Sequence, residues 1–233
     1  MIRVVAIDVS TWWAGLALVE VPEPDAVPSL VAEVGVLVRD SHAARLLVLL
    51  ERLLADASWP VSGVDAYAAT RGPGSFTGLR IGLGTVRGLG LASGRPCLGV
   101  GTLHAMAEAL GPSDRERVPV LEAGRGDVFA ARYDARSSPP LERVAPWVGA
   151  PERIAGEDTR EVVAFGSGAR LHRERLERAG FRGVFAASPT SVAAGAGRIA
   201  AARLLSGAAD GEGLMPLYVR PADAEVSRPE VAP

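Results

Sequence analysis

The spacing of apolar residues divides the first hundred residues into short strands and two longer helices. Apolar residues alternate with other residues between 30 and 38, which is the period of a strand, whereas the leucines from 46 to 54 fall on one arc of a helix. Glycine and proline clusters mark the turns between the segments. The pattern predicts strands at residues 3–8, 14–20, 30–38, 64–70 and 97–100, and helices at residues 42–57 and 76–93.

The second half repeats this order of elements. A hairpin is predicted around Gly124-Arg125-Gly126, followed by a short helix, a strand and two longer helices. Because each half places a hairpin before a strand, a glycine loop and a helix, we expect two similar α/β lobes that face a cleft. The predicted elements are strands at 118–123, 128–134 and 161–165 and helices at 151–154, 169–179 and 190–205. The predicted limits are 1–105 and 106–220 for the lobes and 221–233 for a flexible tail.

The composition removes several classes of chemistry. All 25 basic residues are arginine, and a chain without lysine can form neither a Schiff base nor a P-loop. The single cysteine, Cys97, excludes an internal disulfide and favours a reducing, cytoplasmic compartment. No apolar stretch approaches the roughly 20 residues that span a bilayer, so no membrane contact is expected. The net charge of −2 argues against a strong nucleic-acid binder that acts alone.

Two glycine loops and one acidic turn are candidates for binding phosphate. Glycines between a strand and a helix let backbone N–H groups converge on an anion, and a carboxylate beside hydroxyls can hold a metal-bound nucleotide. On the residues alone, simpler alternatives are favoured: a tight turn in which Ser75 caps the helix, and an Asx-turn at Asp8. The candidate residues are Asp8, Ser10 and Thr11 after the first strand, Gly72, Gly74 and Ser75 in the first loop, and Gly166 and Gly168 in the second.

The second predicted helix contains five glycines, each of which costs about 1 kcal/mol relative to alanine in a helix interior. Gly78 and Gly82 share one side with apolar residues, and Gly84 and Gly88 lie roughly opposite. Only a narrow strip is polar, so the helix is predicted to be buried on nearly every side. Two alternatives stay open: the helix is enclosed within one large core, or it packs on its own sheet with one side and on a partner helix with the other.

Taken together, these motifs resemble one family. Residues 5–11, Val-Ala-Ile-Asp-Val-Ser-Thr, are similar to the opening strand and phosphate loop of the actin/Hsp70/sugar-kinase superfamily. Residues 70–82, Thr-Arg-Gly-Pro-Gly-Ser-Phe-Thr-Gly-Leu-Arg-Ile-Gly, resemble the signature of TsaB (YeaZ) proteins and their paralogues. Residues 99–103 and 216–220 also match the family, so the resemblance covers roughly residues 2–220. It implies two ribonuclease-H-like lobes with mixed sheets flanked by helices.

The resemblance also implies a non-catalytic subunit in the biosynthesis of threonylcarbamoyladenosine in tRNA. The implied partners are TsaD, which transfers the threonylcarbamoyl group to the adenosine beside the anticodon, and the ATPase TsaE. A homodimer is implied for the isolated chain, contact with tRNA only through the complex, and no intrinsic cofactor, with a nucleotide at the partner interface left open. The N-terminal helices are implied to form the partner surface, with Leu46, Leu50, Leu53, Arg80, Ile81, Gly84, Arg87 and Gly88 as predicted interface residues.

One motif of the catalytic relative is missing. TsaD is expected to bind metal through a His-x-x-x-His motif, and the histidines here, at 42, 104 and 172, are too far apart to form one. We therefore predict no catalytic residue and no bound metal. Two other functions stay open: an ATPase or small-molecule kinase that uses Asp8, Ser10 and the glycine loops, and a zinc peptidase of the sialoglycoprotease type. The hairpin turn departs from the family, since Glu122 and Gly124 replace the usual Asp and Arg, and we assign it no site role.

Overall fold

The structure is a computed structural model that describes residues 1–23, 26–37, 42–156, 158–189, 192–207 and 214–220. The first half contains β1 (Ile2–Asp8), β2 (Trp13–Val21), β3 (Ser29–Leu37), α1 (His42–Asp56), β4 (Ala66–Thr70), α2 (Phe76–Ser93), β5 (Cys97–Val100) and α3 (Thr102–Leu110). The second half contains β6 (Glu116–Gly124), β7 (Asp127–Tyr133), β8 (Glu142–Gly149), β9 (Val162–Phe165), α4 (Ser167–Leu171), α5 (Arg173–Arg178), β10 (Val184–Phe185) and α6 (Val192–Leu205). Single 3₁₀ turns occupy Val61–Gly63 and Pro151–Gly156.

Two five-stranded mixed sheets share one strand order. In the first sheet the order is β3-β2-β1-β4-β5, with antiparallel pairing among β1, β2 and β3 and parallel pairing from β1 to β4 and β5. The second sheet, β8-β7-β6-β9-β10, repeats every one of these relations. Mixed sheets of this order, flanked by helices, have the ribonuclease-H-like topology, so the predicted fold class is confirmed.

The first sheet is covered on both faces, because side chains alternate between the faces along each strand. Val5 and Ile7 of β1 join the core that α1 and α2 close, and Val4 and Ala6 join the core that α6 closes. A strand buried on both faces is apolar at successive positions, which is the pattern at the start of this chain.

Helices α3 and α6 each pack on the sheet of the other half. α3 follows β5 of the first sheet and contacts β6 and β7, whereas α6 follows β10 of the second sheet and packs on β1 and β2. The two helices also contact each other, and a Cβ atom at Gly195 would overlap the backbone of Ala105. Since α6 belongs by sequence to the second predicted lobe, the limits 1–105 and 106–220 stay a prediction.

The second sheet buries an arginine. Arg117 of β6 has no exposed surface, and its guanidinium donates to the carbonyls of Asp134 (2.9 Å), Gly111 (2.9 Å) and Ser137 (2.7 Å). The same group forms an ion pair with the Asp134 carboxylate at 3.5 Å. A buried charge is tolerated because its donors are engaged, and here those contacts order the chain after α3 and after β7.

Most predicted elements occur within two residues of their predicted ends, and α2 and β5 match at both ends. Three elements were missed: α3, β8 and the two-residue β10. The helix predicted at 169–179 is wrong as one element, because it is divided at His172 into α4 and α5. Residues 38, 190–191 and 221–233, predicted as a strand end, a helix start and a tail, lie outside the described residues. No helix in the described parts of the chain is long and apolar enough to cross a bilayer.

Candidate functional site

Asp8 ends β1 as a buried carboxylate with two donors. The Thr70 hydroxyl donates to its Oδ1 at 2.6 Å, and the Ser10 backbone N–H donates to the same oxygen at 3.1 Å. The second bond closes the Asx-turn that the sequence predicted. Burial raises the pKa of Asp8, and the hydrogen bonds from Ser10 and Thr70 oppose this shift. Thr11 contributes locally, since its hydroxyl accepts the N–H of Trp13 at 3.2 Å.

The first glycine loop packs directly on this turn. Ser75 caps α2, as the simpler alternative predicted, by accepting the Gly78 N–H at 3.2 Å. The Ser75 N–H donates to the carbonyl of Ser10 at 2.7 Å. A Cβ atom at Gly74 or Gly78 would overlap the backbone of residues 9 and 10. The loop therefore needs these glycines to approach its own chain.

The second glycine loop lies at the equivalent place in the second sheet. A Cβ atom at Gly166 would overlap the Val120 carbonyl, and one at Gly168 would lie 2.8 Å from the Val120 side chain. Each loop therefore packs against the central strand of its own sheet: the first against the turn that follows β1, and the second against β6. The structure brings Asp8, Ser10 and the first loop together, and it places the second loop against β6 and α3.

Helix α2 has one buried and one exposed face, so the prediction of burial on nearly every side is wrong for the chain alone. Gly78 and Gly82 lie on the buried face, where a Cβ atom at Gly82 would lie 2.7 Å from Cγ2 of Val9. On the exposed face, an added Cβ atom at Gly84 or Gly88 would meet no atom within 4 Å. We call this exposed face the open face; its residues are Phe76, Arg80, Gly84, Arg87, Gly88 and Leu91.

The open face carries positive charge without acidic residues. From residue 66 to residue 107 the chain contains four arginines and neither aspartate nor glutamate. Arg80 and Arg87 are exposed, and Leu91 is 89% exposed. A surface that combines apolar residues and arginines is typical of the centre of a protein interface.

Three predicted interface leucines have another role. Leu46, Leu50 and Leu53 of α1 are buried in the core of their own chain, against the first sheet. The prediction that they contact a partner is wrong, because the most apolar arc of α1 faces β2 and β3. The outer side of α1 instead exposes Leu47 and Val48. Of the other predicted interface residues, Ile81 is half-buried and lies at the edge of the open face.

Residues 214–220, which we call the clasp, run across the first glycine loop. Leu214 is buried, and its carbonyl accepts the guanidinium of Arg87. The Leu217 N–H donates to the carbonyl of Arg71 at 2.6 Å. These contacts join residues more than a hundred positions apart, and the sequence identified residues 216–220 only as part of the family resemblance.

The far end of the clasp holds the second sheet. Arg220 donates to the carbonyl of Ala123 at 3.0 Å and to the carboxylate of Asp127 at 2.6 Å, on either side of the β6–β7 turn. The clasp thus connects α2 of the first sheet with the hairpin of the second. No group of three or more potential metal ligands occurs among the described residues.

These features define a class of protein: a duplicated ribonuclease-H-like chain whose glycine loops press on its own backbone and whose α2 presents an open face. The family model described as TsaD, tRNA N6-adenosine threonylcarbamoyltransferase, matches residues 34–165, which is more than half of the chain. The chain therefore belongs to this family, and within it to the TsaB (YeaZ) group.

Three similar proteins support that group. The tRNA threonylcarbamoyladenosine biosynthesis protein TsaB of Bacillus subtilis is 27% identical over 95% of this chain and 96% of its own length. The protein of that name in Escherichia coli is 38% identical, over 40% of this chain and 41% of its own length. A crystal structure from Pseudomonas aeruginosa, of an uncharacterized protein similar to the peptidase YeaZ, superposes with a TM-score of 0.81 at 27% identity, covering 94% of this chain and 100% of that one.

Proposed function

We propose that this chain takes part in the biosynthesis of threonylcarbamoyladenosine in tRNA, as a non-catalytic subunit that binds a TsaD-family protein through the open face of α2. The names of the relatives support the pathway. The observation that carries the mode of action is the empty space over Gly84 and Gly88. The complex, rather than this chain alone, recruits the ATPase TsaE and contacts tRNA in the cytoplasm.

The open glycines suit a helix–helix interface. Two glycines one turn apart leave no side chain between α2 and a partner helix. The two helix axes can therefore lie close together, about 8 Å apart, at the lower limit of the usual range of 8–10 Å. Each glycine costs about 1 kcal/mol of helix propensity, and close packing with a partner offsets that cost. We expect a homodimer of the isolated chain to use the same surface but to be weaker than the complex, because it brings like charges together, so self-association and partner binding compete for it.

The acidic turn supports a non-catalytic role. The Oδ1 of Asp8 receives both of its hydrogen bonds from the chain itself. The glycines that could cradle a phosphate approach the Ser10 backbone instead. We propose that the chain has no intrinsic cofactor and that any nucleotide binds at the interface with its partners.

The test is binding to the TsaD-family protein of the same genome, measured by calorimetry. Gly84→Leu places a bulky side chain on the open face, and a misfit of this kind costs about 1–3 kcal/mol, so affinity falls roughly 5- to 150-fold. Gly156→Leu is the matched control, because an added Cβ atom there also meets open space, away from α2. Circular dichroism of both variants is expected to match the wild type.

Equal affinity of Gly84→Leu and wild type would exclude the open face as the partner surface.

A second assay measures ATP hydrolysis by the purified chain, which is expected to be absent. Turnover that disappears in Asp8→Ala would favour the kinase or ATPase alternative.

A further inference from the structure

The clasp lies along one border of the open face. At 100° per residue, Phe76 and Arg87 mark that border, and Gly84 and Gly88 lie further around the helix. Tyr218 stacks on Phe76 with ring centroids 5.6 Å apart, while Arg87 reaches Leu214 and the sulfur of Met215. The surface of α2 therefore continues without a break onto the clasp.

The clasp adds the aromatic part of this surface. Phe76, Met215 and Tyr218 are each about half exposed, at 49%, 59% and 50%. The guanidinium of Arg80 also lies over the Phe76 ring, 3.8 Å from its centroid. Tyrosine, phenylalanine, methionine and arginine are the residues enriched at interfaces, and here they are held together before any partner binds.

The charge of the surface formed by the open face and the clasp indicates which kind of partner binds there. Residues 66–107 and 214–220 contain arginines and no acidic residue, so a second copy docked here across a two-fold axis would bring arginine toward arginine. A partner that presents carboxylates opposite Arg80 and Arg87 is complementary instead. The occupant that fits is thus an acidic helical surface of a different protein.

The clasp is also held by groups that lie outside the open face. The Leu217 carbonyl sits at Gly72, where a Cβ atom would be 2.6 Å from it, and φ is +117°. Arg220 then fastens the end of the clasp to Asp127 and Ala123 of the hairpin. These contacts fix Tyr218, which lies between them in sequence.

We propose that the clasp is a second element of the partner surface, beside the open face of α2, and that the Arg220–Asp127 ion pair acts as a positioning pair for it. The inference rests on the proposed function, because it concerns the same partner. It adds that an ion pair between the clasp and the hairpin of the second sheet controls binding at a helix of the first sheet.

The experiment measures calorimetric affinity for the TsaD-family protein of the same genome, with Arg220→Gln, Asp127→Asn and the double variant. Each single variant is expected to bind about three- to tenfold more weakly, and the double variant about as weakly as Arg220→Gln, because both single variants break the same ion pair and Arg220→Gln also removes the bond to the Ala123 carbonyl. Arg173→Gln is the control: it also breaks an exposed ion pair, with Glu177 at 2.9 Å, but on α5. Hydrogen exchange should accelerate at residues 214–220 in the three test variants only.

Tyr218→Ala tests the surface directly, and a loss of at least about tenfold is expected for an aromatic anchor. Unchanged affinity of Arg220→Gln and Tyr218→Ala, with Gly84→Leu still weakened, would overturn the clasp inference and leave the proposed function standing. Unchanged affinity of all three would overturn the proposed function as well. A partner affinity that falls with added NaCl supports an acidic partner. If Tyr218→Ala weakens self-association but not partner binding, the surface belongs to a second copy of the chain, and the choice of occupant is refuted.

Discussion

On the buried and the open face of α2, replacement of glycine by alanine is expected to have opposite effects on stability. At Gly84 a methyl group meets no atom within 4 Å, so Gly84→Ala should add only helix propensity, about 0.5–1 kcal/mol of stability. At Gly78 the same methyl group overlaps the carbonyl of Val9, so β1 or α2 must shift. Overpacking of this kind costs on the order of 3 kcal/mol, which exceeds the gain in propensity.

These free energies convert to measurable melting temperatures. For a chain of this size 1 kcal/mol corresponds to about 2–4 °C. We therefore expect Gly84→Ala to raise Tm by roughly 1–4 °C and Gly78→Ala to lower it by roughly 5–10 °C. The difference between the two variants is more informative than either value, because both replace glycine by alanine in the same helix.

The assay is thermal and urea denaturation followed by circular dichroism and by tryptophan fluorescence, whose coincidence tests two-state behaviour. Protein concentration must be low enough for the chain to be monomeric in the ultracentrifuge, since Gly84 lies on the proposed partner surface. Destabilisation by Gly84→Ala in the monomer would show that the open face is covered. Equal effects of the two substitutions would refute the assignment of buried and open sides.

Three further outcomes follow from buried or close contacts. Burial raises the pKa of Glu108, so its protonated form favours folding, and stability falls as pH rises from the ordinary pKa of a glutamate toward the raised pKa of the folded chain. Glu108→Gln should lack this fall, so its Tm relative to wild type should be higher above that pH range than below it, whereas a constant difference would contradict the reasoning. Arg117→Met removes the donor of three carbonyls, those of Asp134, Gly111 and Ser137, and should cost about 3–5 kcal/mol, seen as a Tm fall of roughly 10 °C, and a fall under about 3 °C would contradict it. Gly72→Ala forces a side chain toward the Leu217 carbonyl at positive φ, so hydrogen exchange of residues 214–220 should accelerate while α2 stays protected, and loss of protection in both would contradict a local effect.

Elements with chemical signals at both ends could be predicted from the sequence. Ser75 accepts a helix N–H at the start of α2, and Gly94 ends it in the left-handed conformation, so the predicted and observed bounds agree. α3 was missed because only Gly101 separates it from β5 and because it is short and mostly buried, so its start carries no side-chain cap. β8 contains Pro146 and pairs with β7 through two register shifts, so alternation is weak there.

For the candidate site as well, local contacts could be predicted from the sequence and distant contacts could not. The Asx-turn at Asp8 and the cap at Ser75 involve residues two or three positions apart, and both were predicted. The clasp depends on two distant contacts. Arg87 and Leu214 are separated by 127 positions in the sequence, and Asp127 and Arg220 by 93 positions, and a single sequence carries no signal for such contacts. Periodicity also placed the leucines of α1 on one arc correctly, but it could not tell whether that arc faces the sheet or a partner.

Within the described residues, the helices at equivalent places of the two halves differ in their exposed faces. Helix α2 lies between β4 and β5, and the equivalent place between β9 and β10 is filled by α4 and α5, which are shorter and divided at His172. Arg173 pairs with Glu177 and Arg178 with Glu174 along the exposed side of α5, and i,i+4 ion pairs of this kind suit a helix that stays in water. On α2 the same side carries open glycines and arginines, in a stretch of sequence without acidic residues, and the proposed partner surface rests on these features. Two equivalent units have thus diverged into one ion-paired helix pair and one helix that we propose to bind a partner, and the clasp, which follows α6 in sequence and contacts both halves, is placed to link them.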